Sequence, residues 1–153
     1  YILLKPPYLS EKEAIEDAVQ SAIDTAPHVD KISINPVNVQ KNTVIEKMWF
    51  RNEWTAPWLW SVAEVMKRCE DLPVRVYSDP TGGGTRRGAH NCHDCNNKIL
   101  EALKNHRLGL GDLMGLDCGC RPRWDFLRKQ SSLRRNGAEP HGYRSGFMGG
   151  RHF

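Results

Sequence analysis

Two closely spaced pairs of cysteines constrain the fold of this chain more than any other feature of its sequence. They are Cys92-His-Asp-Cys95 and Cys118-Gly-Cys120, and 22 residues separate the pairs. Thiolates two or three residues apart can hold one side of a tetrahedral metal ion, and a second pair completes a four-sulfur set. We therefore predict that these four cysteines bind one metal ion, zinc, in a closed structural site.

Other interpretations of the cysteines stay open at this point. Iron takes the same four-sulfur set, and four free thiols need no metal. A redox role for Cys92 and Cys95 would need the pair directly after a strand, whereas a glycine-rich loop precedes it. The fifth cysteine, Cys69, fits an ordinary core or surface thiol. Three nearby histidines are possible substitute ligands: His90, His93 and His106.

The composition fits a globular, soluble protein. The chain has 153 residues, of which 39% are hydrophobic and 26% charged, enough for one domain with a core. It contains no apolar run long enough to span a membrane and no visible signal peptide. We therefore expect a cytoplasmic protein without a membrane partner, in which paired cysteines favour metal binding over disulfides. Because the chain begins at Tyr1 inside an apparent strand, we also expect further residues upstream.

The first 78 residues alternate between strand and helix patterns. Residues 1–5 are a short apolar run, and residues 31–35 alternate in polarity. Between them, Ser10-Glu-Lys-Glu13 is a capping box followed by apolar residues at helical spacing. A strand, helix and strand of this length predict two parallel strands with a right-handed crossover. Residues 74–77 predict a third strand, and the fold class is therefore α/β.

The later part of the chain predicts shorter helices. Thr43 and Thr55 are each placed to cap a helix, residues 96–106 have helical spacing, and a looser helix is predicted at 108–116. We divide the chain into three parts: an α/β part at residues 1–78, a small helical cysteine-rich metal-binding module at residues 79–128, and a basic, glycine-rich tail at residues 129–153.

Polar side chains follow the first two predicted strands. Lys5 ends the first strand, and Asn35, Asn38 and Gln40 follow the second. Ligands of parallel α/β folds bind at the carboxyl edge of the sheet, and amides both donate and accept hydrogen bonds. These four residues are therefore predicted to bind a cofactor or substrate. The alternative is that Asn35 and Asn38 only build the turn after the strand.

Basic side chains predict contact with RNA. Arg86, Arg87 and His90 flank the first cysteine pair, and Arg134 and Arg135 belong to the tail. The tail carries five basic residues against one acidic residue, which equals the formal net charge of +4 for the whole chain. Such segments bind phosphates, although a solvated tail without a partner is an equal alternative.

Tryptophan is concentrated between the second and third predicted strands. Indole rings can stack on nucleobases, but they more often pack in a core. We predict that this group packs, with Trp54 as its most exposed member. The group is Trp49, Trp54, Trp58 and Trp60.

Several motifs, taken together, resemble one enzyme family. They are Leu4-Lys-Pro-Pro7, Ser33-Ile-Asn-Pro-Val-Asn-Val-Gln40, Pro57-Trp-Leu-Trp60, Arg86-Arg-Gly-Ala-His-Asn-Cys92, Cys95-Asn96, and Cys118-Gly-Cys120 followed by Trp124. Over roughly residues 1–128, the chain resembles the archaeal archaeosine-biosynthesis radical SAM proteins, which are similar to Elongator-type radical SAM enzymes.

The resemblance implies a fold, cofactors and a substrate. This chain would supply the last βα units of a partial TIM barrel, followed by the cysteine module. The complete enzyme would use a [4Fe–4S] cluster and S-adenosylmethionine, which it cleaves reductively to a 5′-deoxyadenosyl radical. Its substrate would be a tRNA whose modified guanine carries a lysine adduct, added by a partner enzyme, and the product would be archaeosine. Asn35, Asn38 and Gln40 would then place the cofactor or substrate.

One departure from the family pattern leaves a second function open. Radical SAM enzymes bind their cluster through C-x-x-x-C-x-x-C, and this chain contains no such triad. We therefore expect the chain to be inactive alone, with the cluster bound upstream. The alternative is a non-enzymatic, zinc-stapled module that binds RNA or docks a partner. An open barrel edge would also favour a homodimer.

Overall fold

The computed structural model describes residues 1–130. The predicted tail residues Arg134 and Arg135 lie outside the described residues. A short 3-10 turn, Ala26–His28, follows the first helix. The strands and helices, in chain order, are β1 (Ile2–Leu4), α1 (Glu11–Thr25), β2 (Lys31–Pro36), α2 (Val44–Phe50), α3 (Leu59–Arg68), β3 (Arg75–Ser78), α4 (His93–Leu108) and α5 (Arg121–Leu127).

The three strands form a parallel sheet in the order β1-β2-β3. Ile2 lies opposite Ile34, and Ile34 lies opposite Ser78, so the carboxyl ends of the strands meet at one edge. The α/β prediction is confirmed. Neighbouring strands follow one another in sequence, as they do in βα barrels, whereas a doubly wound sheet reverses its order. Residues 1–130 form this three-stranded sheet and do not show a barrel.

Apolar side chains from the sheet and its helices form the core. Helix α1 packs on β1 and α3, and α3 packs on β2, β3 and α4. Leu4, Ile34, Leu59, Val62 and Met66 are fully buried. Each such side chain contributes about 1.5–3 kcal/mol relative to an exposed position. The helical spacing that predicted α1 therefore identified its buried face.

Two predicted helix caps are confirmed. The Ser10 hydroxyl accepts from the Glu13 amide at 3.3 Å, and the Glu13 carboxylate accepts from the Ser10 amide at 2.9 Å. The Thr43 hydroxyl accepts from the Glu46 amide at 3.1 Å. The carboxylate of Glu46 accepts from the amide of Asn42 at 2.8 Å, one residue before the position that a regular capping box uses.

Two other helix predictions are wrong. Helix α3 begins at Leu59 with Trp58 as its cap, because the Thr55 hydroxyl instead accepts from the ammonium of Lys5 at 3.0 Å. Residues 109–120 contain no helix. Gly109 and Gly115 there have φ of +71° and +69°, which is left-handed backbone that ends a helix. Helix α5 was not predicted.

One apolar cluster runs through both predicted parts of the described chain. Ile99 and Leu103 of α4 and Trp124 of α5 belong to the same buried cluster as Leu4 and Ile34. The division of the chain at residue 78 stays a prediction. None of the helices in residues 1–130 is both long and apolar enough to cross a membrane.

Candidate metal centre and the neighbouring cleft

The first cysteine pair lies at the beginning of α4. Cys92 is the cap of this helix, and Cys95 lies in its first turn. Free backbone N–H groups and the helix dipole at this end favour a thiolate. The loop before the helix is fixed by Asn91, whose side-chain oxygen accepts from the Trp60 amide at 3.2 Å. The amide of Asn91 also donates to the side chain of Asn96 at 2.6 Å.

The second pair lies where the chain returns to α3. Cys120 caps α5, and its sulfur accepts from the indole N–H of Trp60 at 3.3 Å. The Arg121 guanidinium donates to the Leu116 carbonyl at 2.6 Å and lies 5.3 Å from the centre of the Trp60 ring. The amide of Arg121 donates to the Cys118 carbonyl at 2.9 Å. These contacts bring the second pair against the first.

The four sulfurs are spaced like the corners of a tetrahedron around one ion. The sulfur of Cys92 lies 3.6 Å from that of Cys95 and 3.5 Å from that of Cys118, and Cys95 lies 3.7 Å from Cys120. All four lie within 4.8 Å of one another. Four bonds of about 2.3 Å to one zinc ion would place the sulfurs about 3.8 Å apart. A disulfide needs only about 2.0 Å.

The same sulfur–sulfur distances distinguish a site for a single ion from a site for an iron–sulfur cluster. A four-iron cluster is a cage, and its thiolate ligands lie at the outer corners of that cage. Four sulfurs within 4.8 Å of one another leave room for one ion at their centre but not for such a cage. The residues therefore fit mononuclear zinc or mononuclear iron.

Cys92 and Cys95 cannot both ionise without a positive charge between them. Burial raises the pKa of Cys92, but hydrogen bonds from Cys118 and Cys95 outweigh it and lower this pKa to about 7. Burial and the hydrogen bond with Cys92 raise the pKa of Cys95. Cys92 thus carries negative charge while Cys95 keeps its proton, and a bound cation would remove this conflict.

The remaining predicted metal-site residues lie apart from the sulfurs. Among residues 1–130, the group able to surround a metal with at least three ligands consists of the four cysteines alone. The ring of His90 lies with Nδ1 at 2.9 Å from the Gly88 carbonyl, and His93 is fully exposed. Cys69 is buried in the apolar core, which raises its pKa. It is the ordinary core thiol that the sequence predicted.

A cleft of about 400 Å³ opens at the carboxyl edge of the sheet. Asn35, Asn38 and Gln40 line it together with an apolar wall that includes Pro6 and Ile45. The Gln40 amide donates to the side-chain oxygen of Asn38 at 2.6 Å, and Asn38 donates to the Thr81 carbonyl at 3.2 Å. Three of the four polar residues predicted for this edge thus share one cavity.

Lys5, the fourth, turns away from the cleft. Its φ of +63° is unusual for a residue before proline, and its side chain is buried. The ammonium lies 2.7 Å from the Glu11 carboxylate, which is also buried. The amide of Trp58 and the hydroxyl of Ser61 donate to the other Glu11 oxygen at 2.9 and 2.5 Å.

Sequence reasoning missed this buried network. The indole N–H of Trp124 donates to the Ser61 hydroxyl at 2.8 Å, so polar contacts link β1 through α1 and α3 to α5. The sequence contained only a weak indication, a glutamate at the first position of α1 whose usual role is to favour the helix end. Its partners lie 47 and 50 residues away, beyond any local pattern.

The predicted RNA-contacting arginines lie over aromatic rings of α2. Arg87 donates to the Glu46 carboxylate at 2.8 Å, and its guanidinium lies 5.0 Å from the centre of the Trp49 ring. Arg86 is exposed and lies 5.9 Å from the same ring centre. His90 belongs to the loop before Cys92, and its ring contacts the Gly88 carbonyl. Among residues 1–130, His90 forms no ring contact with Trp49 or Phe50.

The prediction that Trp54 is the most exposed of the four tryptophans is wrong. Only 4% of Trp54 is accessible, because it packs with Val37, Val39, Met48 and Ala56 in a second small core. Trp60 is equally buried, and Trp49 and Trp58 are half-buried. Packing therefore accounts for the group, as predicted, with Trp49 and Trp58 as its accessible members.

Comparison with known proteins finds three curated relatives. Over 130 residues, or 81% of this chain, it is 41% identical to archaeosine synthase subunit beta of Methanosarcina acetivorans, and the match covers 37% of that protein. Archaeosine synthase subunit beta of Thermococcus kodakarensis is 39% identical over 87% of this chain and 43% of its own length. An uncharacterized protein of Methanocaldococcus jannaschii is 33% identical over 82% of this chain.

These matches confirm homology to archaeosine synthase subunit beta over most of the present chain. The chain spans less than half the length of the curated relatives that it matches. No family model and no solved structure matches it. The four cysteines, the cleft and the arginines all lie within residues 1–130, the part of the chain whose geometry is described.

Proposed function

We propose that Cys92, Cys95, Cys118 and Cys120 hold one structural zinc ion. The observation that carries this proposal is the set of sulfur separations, which match the edges of a tetrahedron with zinc–sulfur bonds. Zinc with four thiolates has no open position, so the ion would hold α4 and α5 together and take no part in catalysis.

Elemental analysis with a visible absorption spectrum tests the metal. One zinc per purified chain without colour is the expected result. One iron with a red colour and no sulfide would replace zinc by mononuclear iron at the same ligands. Iron with sulfide would mean that the cysteines hold a cluster and would contradict the proposed geometry.

We further propose that the chain is the C-terminal part of a radical-SAM tRNA-modifying enzyme that forms archaeosine from a lysine-adduct base. Homology to archaeosine synthase subunit beta supports the pathway, and the sequential parallel order of β1, β2 and β3 supports a partial barrel. The [4Fe–4S] cluster would be bound elsewhere in the complete enzyme, because the four clustered sulfurs lie too close together to ligate it.

In that enzyme the cleft at the sheet edge would bind S-adenosylmethionine or the substrate base. Its size, its apolar wall and its three amide side chains suit a ligand that has both rings and polar substituents. S-adenosylmethionine supplies the radical chemistry when bound. Asn35, Asn38 and Gln40 would orient it through donated and accepted hydrogen bonds. The Lys5–Glu11 pair would hold the strand end that borders the cleft.

The complete enzyme tests this proposal. A protein with the upstream barrel and a reconstituted cluster should cleave S-adenosylmethionine under reducing conditions and should act on tRNA only after a partner enzyme has added lysine. The present chain alone should show no turnover. A fully cluster-loaded protein that never cleaves S-adenosylmethionine would contradict the enzymatic proposal.

The second candidate is a non-enzymatic, zinc-stapled module that binds RNA or a partner. The cations Lys47, Arg51 and Arg86, which form no ion pair among residues 1–130, favour it. It predicts that the chain alone binds RNA in a salt-dependent way and that deletion of residues 129–153 weakens binding several-fold. Light scattering of the same sample tests whether the chain forms the homodimer expected from an open sheet edge.

A further inference from the structure

An exposed aromatic surface lies at the end of α2. Phe50 is 66% exposed, and its ring centre lies 5.1 Å from that of the half-buried Trp49, at an angle of 57°. The guanidinium of Arg87 lies 6.0 Å from the Phe50 ring centre, and Arg86 lies over Trp49. We call these four residues the Phe50 platform.

Hydrogen bonds hold Arg87 of the platform in a fixed position. The Glu46 carboxylate receives hydrogen bonds from the Arg87 guanidinium and the Asn42 amide, both at 2.8 Å. The amide of Val39 donates to the Arg87 carbonyl at 2.7 Å, and the Arg87 guanidinium donates back to the Val39 carbonyl at 3.3 Å. Arg87 is thus held in place. Arg86 is exposed, and its guanidinium lies over the ring of Trp49, the residue before Phe50.

The surroundings of the platform are positively charged. Residues 41–53 together with Arg86 and Arg87 contain five basic and two acidic side chains, a balance of three positive charges. Within residues 1–130, Lys47, Arg51 and Arg86 form no ion pair. Lys47 and Arg51 lie one helical turn apart, an arrangement that costs a few tenths of a kcal/mol through like-charge repulsion. Both lie at the C-terminal end of α2, where the helix dipole offsets this repulsion, and neither charge has an acidic partner, so both are available to an anionic ligand.

The platform adjoins the cleft at the sheet edge. Ile45 lines the cleft, and the next residue, Glu46, holds Arg87. The cleft wall and the support of the platform are thus built on consecutive residues of α2. Exposed aromatic rings with free cations beside them are the features by which proteins bind single-stranded nucleic acid.

We propose that the Phe50 platform stacks an unpaired nucleobase of an RNA single strand, with Lys47, Arg51 and Arg86 binding the flanking phosphates. The proposal rests on the proposed function in that RNA is the partner, and it adds which kind of RNA segment is bound and where. Duplex RNA does not offer the free base face that the Phe50 ring requires.

Fluorescence titration of the metal-loaded full chain tests the platform. The probe is a single-stranded RNA of about eight nucleotides that carries 2-aminopurine, whose emission falls when the base stacks. Phe50→Ala should weaken binding about tenfold and abolish the quenching. Phe126→Ala is the matched control, because Phe126 is 57% exposed and lies outside the platform. Its affinity should equal that of the unchanged chain.

A second variant separates stacking from charge. Arg86→Lys keeps the positive charge and should keep the salt dependence of RNA binding. Arg86→Ala removes the charge and should reduce the slope of log K against log salt by about one unit. Thermal unfolding and zinc content check that each variant is folded. Should Phe50→Ala fail this check, Phe50→Leu replaces it, since leucine keeps an apolar contact but has no ring.

Two results would overturn the platform. The first is that folded Phe50→Ala or Phe50→Leu binds the single strand with the affinity of the unchanged chain. The second is that the unchanged chain binds duplex and single-stranded RNA with equal affinity. The proposed enzymatic function fails on different grounds. If the complete enzyme never cleaves S-adenosylmethionine while Phe50→Ala still loses RNA affinity, the platform stands and the enzymatic proposal falls.

Discussion

The sheet and its covering helices differ sharply from the segment that carries the second cysteine pair. Side chains such as Leu4, Ile34 and Leu59 are fully buried in the first region. In residues 109–123 no side chain is buried, although the backbone follows a defined path between α4 and α5. The first region is stabilised by removal of apolar surface from water. In the second, Leu113 and Leu116 are only partly buried against the core, so specific bonds must supply more of the stability.

Few such bonds are present in the second region. Arg121 binds the Leu116 carbonyl, and the Met114 amide donates to the Asp112 carboxylate at 2.9 Å. The N–H of Trp60 reaches Cys120 from α3. Each of these hydrogen bonds contributes about 1 kcal/mol. Their sum is smaller than the entropy cost of ordering a dozen residues, at about 1–2 kcal/mol per residue. A metal ion bound to both cysteine pairs would supply the difference.

The largest expected effect therefore comes from removing one sulfur. Cys95→Ser should lower zinc affinity at least 100-fold, because a hydroxyl is a poor replacement for a thiolate. Hydrogen exchange should then accelerate in residues 109–123, while β2 and α3 stay protected. Cys69→Ala is the matched control, since Cys69 is a buried thiol outside the site. Equal protection of residues 109–123 with and without metal would remove the distinction between the two regions.

A smaller effect is expected from the buried ion pair in the first region. Glu11→Gln leaves the Lys5 ammonium buried beside a neutral amide, which should lower the free energy of unfolding by about 3–5 kcal/mol. Zinc content should stay at one per folded chain, in contrast to Cys95→Ser. Urea unfolding measures the change.

The double variant Lys5→Met with Glu11→Leu is the control for Glu11→Gln. Both charges and both partners are then removed, and the double variant should regain most of the lost stability. If it is as unstable as Glu11→Gln, the cost comes from packing or from the lost Trp58 and Ser61 bonds rather than from an isolated charge.

The contact between the two regions is expected to be weaker still. Trp124→Phe keeps an aromatic side chain but removes the N–H that donates to Ser61, which costs about 0.5–1.5 kcal/mol, and the smaller ring adds a cavity cost because Trp124 is buried. In a double-mutant cycle with Ser61→Ala, we expect a coupling energy of about 1 kcal/mol by urea unfolding. Strictly additive effects would show that the hydrogen bond does not link the regions.

The same contrast explains what could be predicted from the sequence. Helix α1 has regular apolar spacing and a capping box, so its bounds and buried face follow from local rules. The four cysteines were predicted to converge because thiolates have few other uses at that spacing. Local information sufficed in both cases.

Predictions failed where distant contacts decide the structure. Trp54 follows a polar stretch, yet it is buried because residues of the β2–α2 loop and α2 pack on it. Thr55 did not cap α3 because Lys5, 50 residues earlier, binds its hydroxyl. Residues 109–120 contain enough leucine to suggest a helix, but left-handed backbone at Gly109 ends α4, and a second left-handed glycine, Gly115, interrupts the segment.

The smallest expected effect concerns charge on the surface of the first region. Arg68 donates to both oxygens of Glu16 at 2.7 and 2.9 Å, and both side chains are exposed. Glu16→Gln should lower the free energy of unfolding by only about 0.2–1 kcal/mol near neutral pH. Lys67→Gln is the control, since Lys67 is exposed and forms no ion pair among residues 1–130.

The pH dependence fixes the sign of this effect. The hydrogen bond from Arg68 lowers the pKa of Glu16 in the folded chain below its ordinary value of 4.5, and the positive charge of Arg68 adds to the decrease. A carboxylate with a lowered pKa contributes stability above its unfolded pKa and loses it as the pH falls through its folded pKa. The difference between Glu16→Gln and the unchanged chain should therefore be present near neutral pH and vanish on acidification. A difference that grows toward acid pH would contradict the ion pair as its source.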